Sequence, residues 1–293
     1  MIDTGLRGKV VLITGVNNPH GIGAAAARAF AAEGAAVFIT YLRVPCDGAT
    51  GADDAATPGD AFYRAQKAKS GDGVASALRE QGARVEAEEA DLTDHRLIPR
   101  LFDRVEGSLG PVDVLVDNAA HCAADTFVPE KRLGPESRAA DRSPMSAITA
   151  DTHDRHFAVN SRAAALMMAE YARRHVERGA HWGRIVNIST DGASGFSTEV
   201  SYGASKHALE SYSRAAASEL GRYGITVNVV SPGAVQTGWI SPELEREAAD
   251  RVPLGRIGRP EEVADAIVFF ASEQARWITG QLLYVGGGHV MPL

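Results

Sequence analysis

Apolar residues fall in short runs of strand length, and each run gives way to a segment in which they recur every three or four positions. Positions 10–14 (VVLIT) are a continuous, mostly β-branched run, and 22–33 then carry helical spacing closed by Gly34. Residues 36–41 predict a second strand. Further strands are predicted at 84–91, 112–116, 184–189, 226–231 and 281–285, with helices near 95–108, 152–178, 202–222 and 260–272. Strands that are apolar on both faces and separated by helices need cover on both sides, and right-handed crossovers deposit helices there. The pattern predicts an α/β fold with a parallel sheet, and no internal repeat or domain boundary divides residues 1–293.

Two stretches interrupt the alternation. Residues 44–60 are rich in Gly, Ala and Asp without periodicity and are read as a solvated insertion. Residues 121–150 hold Pro129, Pro135 and Pro144 among mixed charges and, following the strand at 112–116, form a candidate substrate lid. Composition excludes several classes. With 293 residues, 45% apolar and 23% charged, the chain is of ordinary globular type. Thirty Lys and Arg against 37 Asp and Glu give a net charge of −7, and no basic run marks a nucleic-acid face. Two cysteines, Cys46 and Cys122, make neither a disulfide framework nor a Cys-x-x-Cys site, which fits a reducing cytoplasm. The first 15 residues lack the pattern of a signal peptide, and Arg28 and Glu33 interrupt the most apolar long stretch, so no membrane span is expected.

The first predicted strand runs into Thr14-Gly15-Val16-Asn17-Asn18-Pro19-His20-Gly21-Ile22-Gly23, where a helix begins. Glycines at such a turn let backbone N–H groups approach a pyrophosphate at the positive helix end, so a dinucleotide site is indicated. Tyr202 and Lys206 share one face of the helix at 202–222. An ammonium ~4 Å from the phenol, at an effective dielectric of about 20, favours phenolate by ~4 kcal/mol, or roughly three pKa units, which brings Tyr202 towards neutrality. A phenol so tuned can exchange a proton with a carbonyl oxygen while hydride moves to or from nicotinamide. Tyr63 and Lys67 repeat the spacing, but no strand precedes them, and Tyr63→Phe is expected to be silent.

Taken in order, Thr14-Gly15 with Gly21-Ile22-Gly23, Asp91-Leu92-Thr93, Asp117-Asn118-Ala119-Ala120, Asn160, the hydroxyls at 189–190, Tyr202-x-x-x-Lys206 and Pro232-Gly233-x-x-x-Thr237 closely resemble the short-chain dehydrogenase/reductase family. The tail, from Arg256 to Val263 and on through Ile278-Thr279-Gly280-Gln281, resembles 3-oxoacyl-[acyl-carrier-protein] reductases. The resemblance implies a single-domain Rossmann-like, doubly wound parallel sheet and a homotetramer or homodimer built partly through the helices at 152–178 and 202–222. It also implies roles. Tyr202 is the acid/base, Lys206 binds the nicotinamide ribose, Asn160 holds a relay water, and a hydroxyl at Ser189 or Thr190 orients the carbonyl. Gly15, Asn17, His20, Gly21, Ile22 and Gly23 form the phosphate turn. Asp91 and Leu92 frame the adenine, Asn118 and Ala119 line the cleft, and Pro232, Gly233, Val235 and Thr237 hold the nicotinamide.

Departures from that pattern raise questions. The glycine turn is two residues longer than usual, and Asp117 replaces the usual Asn, losing an amide donor. An NAD site places an acid at the end of the second strand, whereas an Arg meets a 2′-phosphate. Here Tyr41 takes that position with Arg43 beyond it and no acid between Thr40 and Pro45, so NADP(H) is expected in preference to NAD. Counting back 13 residues from Tyr202 reaches Ser189, while counting from Asn187 at the strand end reaches Thr190, and the better-anchored strand end favours Thr190. The run Asp151 to His156 has metal-ligand residue types but reads as a polar helix start. Met167 and Met168 read as core or subunit interface, and Glu199 as a solvated loop carboxylate. The expected function is hydride transfer between NADP(H) and a small-molecule ketone or secondary alcohol of unread identity. The alternatives are an inactive dinucleotide-binding regulator and an epimerase or dehydratase using the same cleft.

Overall fold

The computed structural model describes residues 3–45, 56–134, 136–139 and 142–291. In chain order the elements are β1 (Val10–Thr14), α1 (Ile22–Ala32), β2 (Ala36–Tyr41), α2 (Asp60–Lys67), α3 (Asp72–Glu80), β3 (Val85–Glu89), α4 (Leu97–Ser108), β4 (Val114–Asp117), β5 (Asp125–Thr126), β6 (Ser146–Ala147) and α5 (Ala150–Phe157). They continue through α6 (Ala164–Glu177), β7 (Gly183–Ile188), α7 (Val200–Leu220), β8 (Ile225–Pro232), α8 (Pro242–Ala249), α9 (Pro260–Ala271) and β9 (Leu282–Val285).

Seven strands form one parallel sheet in the order β3-β2-β1-β4-β7-β8-β9. The order reverses between β1 and β4, and a crevice opens there at the carboxyl ends of the strands, where open α/β sheets bind ligands. Strand alternation divides the core in two. Val11, Ile13, Val116, Val186 and Val230 pack against Ala24, Ala27 and Phe30 of α1 and Ile267 and Phe270 of α9. On the other face Leu12, Leu115, Ile185 and Val227 meet Leu101 and Phe102 of α4 and Met167, Met168 and Tyr171 of α6. Burying each Val, Leu or Phe contributes roughly 1.5–3 kcal/mol, so the two apolar layers clamp the sheet and hold the crevice rim in place.

The helix predicted at 152–178 is instead α5 and α6, joined by a π-helical turn at Ala158–Ala163 that carries Asn160. Such widened turns re-aim the residues they contain and are frequent at functional sites. The segment predicted as a loop at 121–150 holds the short parallel pair β5–β6, with Asp125 opposite Ser146. α2, α3 and α8 fall outside the predicted elements; each has only eight or nine residues, too few for a helical period to stand out. Cys46 and residues 46–55 of the predicted insertion lie outside the described residues.

Candidate active site

β1 delivers Thr14 to the crevice with its side chain buried, and Thr14 Oγ1 accepts from the backbone N–H groups of Asn118 and Ala119, both at 2.9 Å. Asn118 returns the contact by donating Nδ2 to Thr14 O (2.8 Å) and Gly15 O (3.1 Å). Gly15 takes φ +76°, and a Cβ there would meet Ala119 Cα at 2.8 Å. At Gly23 a Cβ would fall 2.6 Å from Asn118 Nδ2. The turn is thus fastened to the end of β4 and needs its glycines. Gly21 is the N-cap of α1 and supplies no side-chain cap, which leaves the first-turn N–H groups beyond Ile22 open to an anion. Two asparagines of the turn hold it to neighbouring chain. Asn17 Nδ2 reaches the carbonyls of Lys67 (2.6 Å), Leu42 (3.2 Å) and Lys69 (3.3 Å), so its amide holds neighbouring chain. Asn18 Nδ2 donates to Thr237 O at 2.8 Å and ties the turn to the segment after β8. His20 is exposed, its ring 5.3 Å from that of Phe62.

α7 brings Tyr202 and Lys206 to the opposite wall. Lys206 is buried and its Nζ donates to Ile188 O at 2.7 Å, leaving it 6.0 Å from the centre of the Tyr202 ring. The expected tuning of the phenol is not seen. Burial, reinforced by the Cys122 thiol and Glu199, raises the Tyr202 pKa well above its usual value. Desolvation lowers that of Lys206 to about 8. The lysine sits on a carbonyl rather than on the phenol, so the loss of hydration wins. Asn160 donates Nδ2 to Ser205 Oγ (2.9 Å) and His121 O (2.8 Å) and accepts from His121 N (2.8 Å). Ser205 Oγ donates in turn to Tyr202 O. The Asn160 side chain therefore clasps the strand exit at 121 to α7. Of the two adjacent hydroxyls, Ser189 is buried and donates to Glu210 Oε1 at 2.6 Å, two helical turns beyond Tyr202. Thr190 is half-buried past the strand end, and its Oγ1 accepts from Gly192 N at 3.4 Å.

Asp117 is buried at the end of β4, opposite Asn187 in register. Its Oδ2 has no hydrogen-bond partner among the described residues, and burial raises its pKa well above normal while Lys206 opposes the rise. Along the rest of the rim, Asp91 accepts from Thr93 N at 2.9 Å and Leu92 is buried. Tyr41 bonds Ser70 Oγ at 2.7 Å, and Arg43 pairs with Glu89 through Nη2 at 2.7 Å and Nε at 2.8 Å. Pro232 ends β8, Val235 bridges Gly258, and a Cβ on Gly233 would meet Gly286 Cα at 2.9 Å. Thr237 N donates to Val235 O.

Tyr63, set aside in the sequence for want of a preceding strand, lies near Tyr202 in the fold. α2 lies across the crevice: Gly59 N donates to Gly238 O at 2.8 Å at one end, and Lys67 O accepts from Asn17 at the other. Tyr63 is largely withdrawn from solvent and close enough to Tyr202 to oppose ionisation of its phenol. Its pKa is pushed up to about 12, chiefly by burial. The signal was the spacing Tyr63-x-x-x-Lys67 itself, and only the fold could show where the pair ends up. Glu199 is likewise buried rather than solvated, and Cys122 Sγ donates to its Oε2 at 3.5 Å. His121 packs edge-on to His156 with centroids 4.7 Å apart, and desolvation lowers its pKa to about 4, with His156 and Lys67 adding to the shift. His156 is committed through both nitrogens, to Thr152 O (2.6 Å) and Ala123 N (3.1 Å). No group of three metal-ligating side chains is found among the described residues. Met167 and Met168 are buried in the core.

The family model described as "Enoyl-(Acyl carrier protein) reductase" matches residues 48–289. The chain is 31% identical over 283 residues to the uncharacterized oxidoreductase YjdA of Bacillus subtilis, covering 96% of this chain and 97% of that one. It is 34% identical over 285 residues to cis-4-hydroxycyclohexanecarboxylate dehydrogenase of Sinomonas cyclohexanicum, covering 96% of each. A solved short-chain dehydrogenase/reductase double mutant from Serratia marcescens superposes with a TM-score of 0.72 at 30% identity, over 97% of this chain and 98% of that one.

Proposed function

Since the chain belongs to the short-chain dehydrogenase/reductase family, we propose that it is an NADP(H)-dependent carbonyl reductase or alcohol dehydrogenase in which Tyr202 is the general acid/base. The residues fit a dinucleotide. The uncapped N-terminus of α1, held beside a glycine turn that packs on the end of β4 too closely for a Cβ, suits a pyrophosphate. Asp91 and Leu92 would frame the adenine, Asn118 and Ala119 the cleft, and Pro232, Gly233, Val235 and Thr237 the nicotinamide, with Lys206 on its ribose. When bound, the nicotinamide supplies or accepts the hydride.

Tyr202 gives its hydroxyl proton to the carbonyl oxygen in reduction and takes one from the alcohol in oxidation. At neutral pH the phenol is protonated, the form that reduction requires. Thr190 orients the carbonyl, because Ser189 is spent on Glu210. The Asn160 side chain is engaged with His121 and Ser205, so the relay water falls to the main-chain carbonyls of the widened turn. The observation that carries the reading is the convergence of Tyr202, Lys206 and the Asn160–Ser205 link on the crevice beside the open end of α1. The whole chain, 1–293, acts as one dinucleotide-binding and catalytic unit. Leu166 and Val176 on α6 and Tyr212 on α7 are exposed apolar residues suited to a homodimer or homotetramer contact. Among the described residues no helix is long and apolar enough to cross a membrane, and a cytoplasmic location suits the sparse cysteines. Tyr202→Phe tests the function: loss of ketone-dependent NADPH oxidation by at least ~100-fold with NADPH affinity retained is expected, and retained turnover would refute it.

A further inference from the structure

We infer that Asp125, in the segment after β4, is a positioning residue for Tyr202: its carboxylate holds the first turn of α7 and so fixes where the phenol stands. Asp125 opens β5 and is buried. Its Oδ1 accepts from Ser201 N at 2.9 Å, across 76 positions of sequence, and Ser201 immediately precedes Tyr202. Ser197 and Thr198 are residues that commonly cap a helix from within, yet neither serves here. Glu199 stands at the N-cap without a side-chain cap and accepts instead from Cys122 Sγ at 3.5 Å. Thr198 is held at φ +70° and buries its Oγ1 without a partner among the described residues, as Ser201 does its Oγ. The helix that carries Tyr202 and Lys206 therefore has its first turn held by a carboxylate from a different part of the chain.

Tyr202 lies between two sets of fastenings. On its C-terminal side Ser205 Oγ accepts from Asn160 and donates to Tyr202 O at 2.8 Å, and Lys206 Nζ is held by Ile188 O. On its N-terminal side the bond from Ser201 N to Asp125 does the corresponding work. The rings of His156 and Phe196 stand 6.5 and 6.2 Å from that of Tyr202 and restrict how far it can swing to offset a displaced backbone. Asp125 is itself held firmly. It lies opposite Ser146 in the β5–β6 pair, while upstream Ala123 N donates to His156 Nε2 at 3.1 Å and His121 is clasped to Asn160. This part of the 121–150 segment is thus built into the wall of the site, where the sequence suggested a lid. A misplacement of about 1 Å at the reacting groups can cost roughly 100-fold in rate, so one hydrogen bond reaches catalysis without Asp125 touching substrate or cofactor.

The inference rests on the reading of Tyr202 as the acid/base, and the experiment separates the two. The full chain is made with 3-fluorotyrosine at position 202, and its fluorine spectrum is recorded beside NADPH oxidation with cyclohexanone as the probe ketone. Asp125→Ala removes the acceptor, and Asp125→Asn keeps one at the same reach. Ser201→Pro removes the donor, in the first turn, where a missing N–H is tolerated. Asp125→Ala and Ser201→Pro should each displace or broaden the fluorine line and lower kcat at least ~10-fold, with NADPH affinity and the ketone KM little changed. Asp125→Asn should return the parent line and most of the rate. In the Tyr202→Phe background Asp125→Ala should cost almost nothing further, because a positioning effect has nothing left to act on. Ser201→Pro carries the test should Asp125→Ala not fold. An unmoved line or an unchanged kcat in a folded variant lacking the bond would overturn the inference. So would an Asp125→Asn as poor as Asp125→Ala, or an undiminished loss in the Tyr202→Phe background. Retained turnover in Tyr202→Phe would instead defeat the reductase reading, and the fluorine line would then decide by itself whether Asp125 places the ring.

Discussion

Ser189 and Thr190 are neighbours with opposite fates. Strand alternation continues the face of Ile185 and Asn187 into Ser189, which turns it towards α7 and Glu210, while the next residue leaves the sheet and faces the crevice rim. Thr190→Val keeps the volume and removes the hydroxyl, so kcat for ketone reduction should fall by at least ~10-fold with the melting temperature little changed. Ser189→Ala should instead spare most of the rate and cost stability, because it strips a hydrogen bond from the buried Glu210. Steady-state kinetics and thermal melts on the pair decide the matter, and the opposite pattern would return the carbonyl-orienting role to Ser189.

At the scale of elements, the proposed preference for NADP(H) is tested at the end of β2. Arg43 is bound to Glu89 of β3, yet the pair is exposed and such pairs contribute only about 0–1 kcal/mol. A 2′-phosphate, with two negative charges, would compete for the guanidinium with this carboxylate, which lies beside the end of β2 in register with Tyr41, while β2 itself ends without an acid. NADPH should therefore show a kcat/KM at least ~10-fold above NADH, and Arg43→Ala should bring the ratio close to one. A preference for NADH, or a ratio insensitive to Arg43, would mean that Glu89 retains the arginine and the phosphate is met elsewhere. α2 belongs to this scale too, since its anchoring turns a Tyr-Lys pair that looks idle in sequence into the roof of the cleft.

For the molecule as a whole, the sheet carries a price in Asp117. Its carboxyl is buried with Oδ2 unpartnered, and the buried Oδ1 of Asn187, opposite it in register, is unpartnered as well among the described residues. The folded pKa is raised above the unfolded one, so between the two values the unfolded chain has already released a proton that the folded chain retains. Stability is then fully present below about pH 4 and is lost as pH rises towards the folded pKa. Asp117→Asn removes the titration and brings an amide donor beside Asn187. Its melting temperature should exceed that of the parent chain by at least ~2 °C at pH 8, with a smaller gain at pH 5. A gain that does not shrink at pH 5, or no gain at all, would show that Asp117 is satisfied where it sits.

The alternation of apolar runs and helical periods determined the parallel sheet, because a strand buried on both faces needs apolar residues throughout and its crossover needs an amphipathic helix. The glycine turn and the spacing of Tyr202 and Lys206 were legible for the same reason: local geometry alone demands those residues at those intervals. Tertiary structure decided the rest. The direction of Lys206 towards Ile188, the engagement of Ser189 by Glu210, the burial of Glu199 and the passage of α2 across the cleft all depend on residues distant in sequence. Desolvation follows from how elements pack around a group and outweighs a neighbouring charge that spacing alone makes look dominant. The raised phenol of Tyr202 could therefore be seen only in the folded chain.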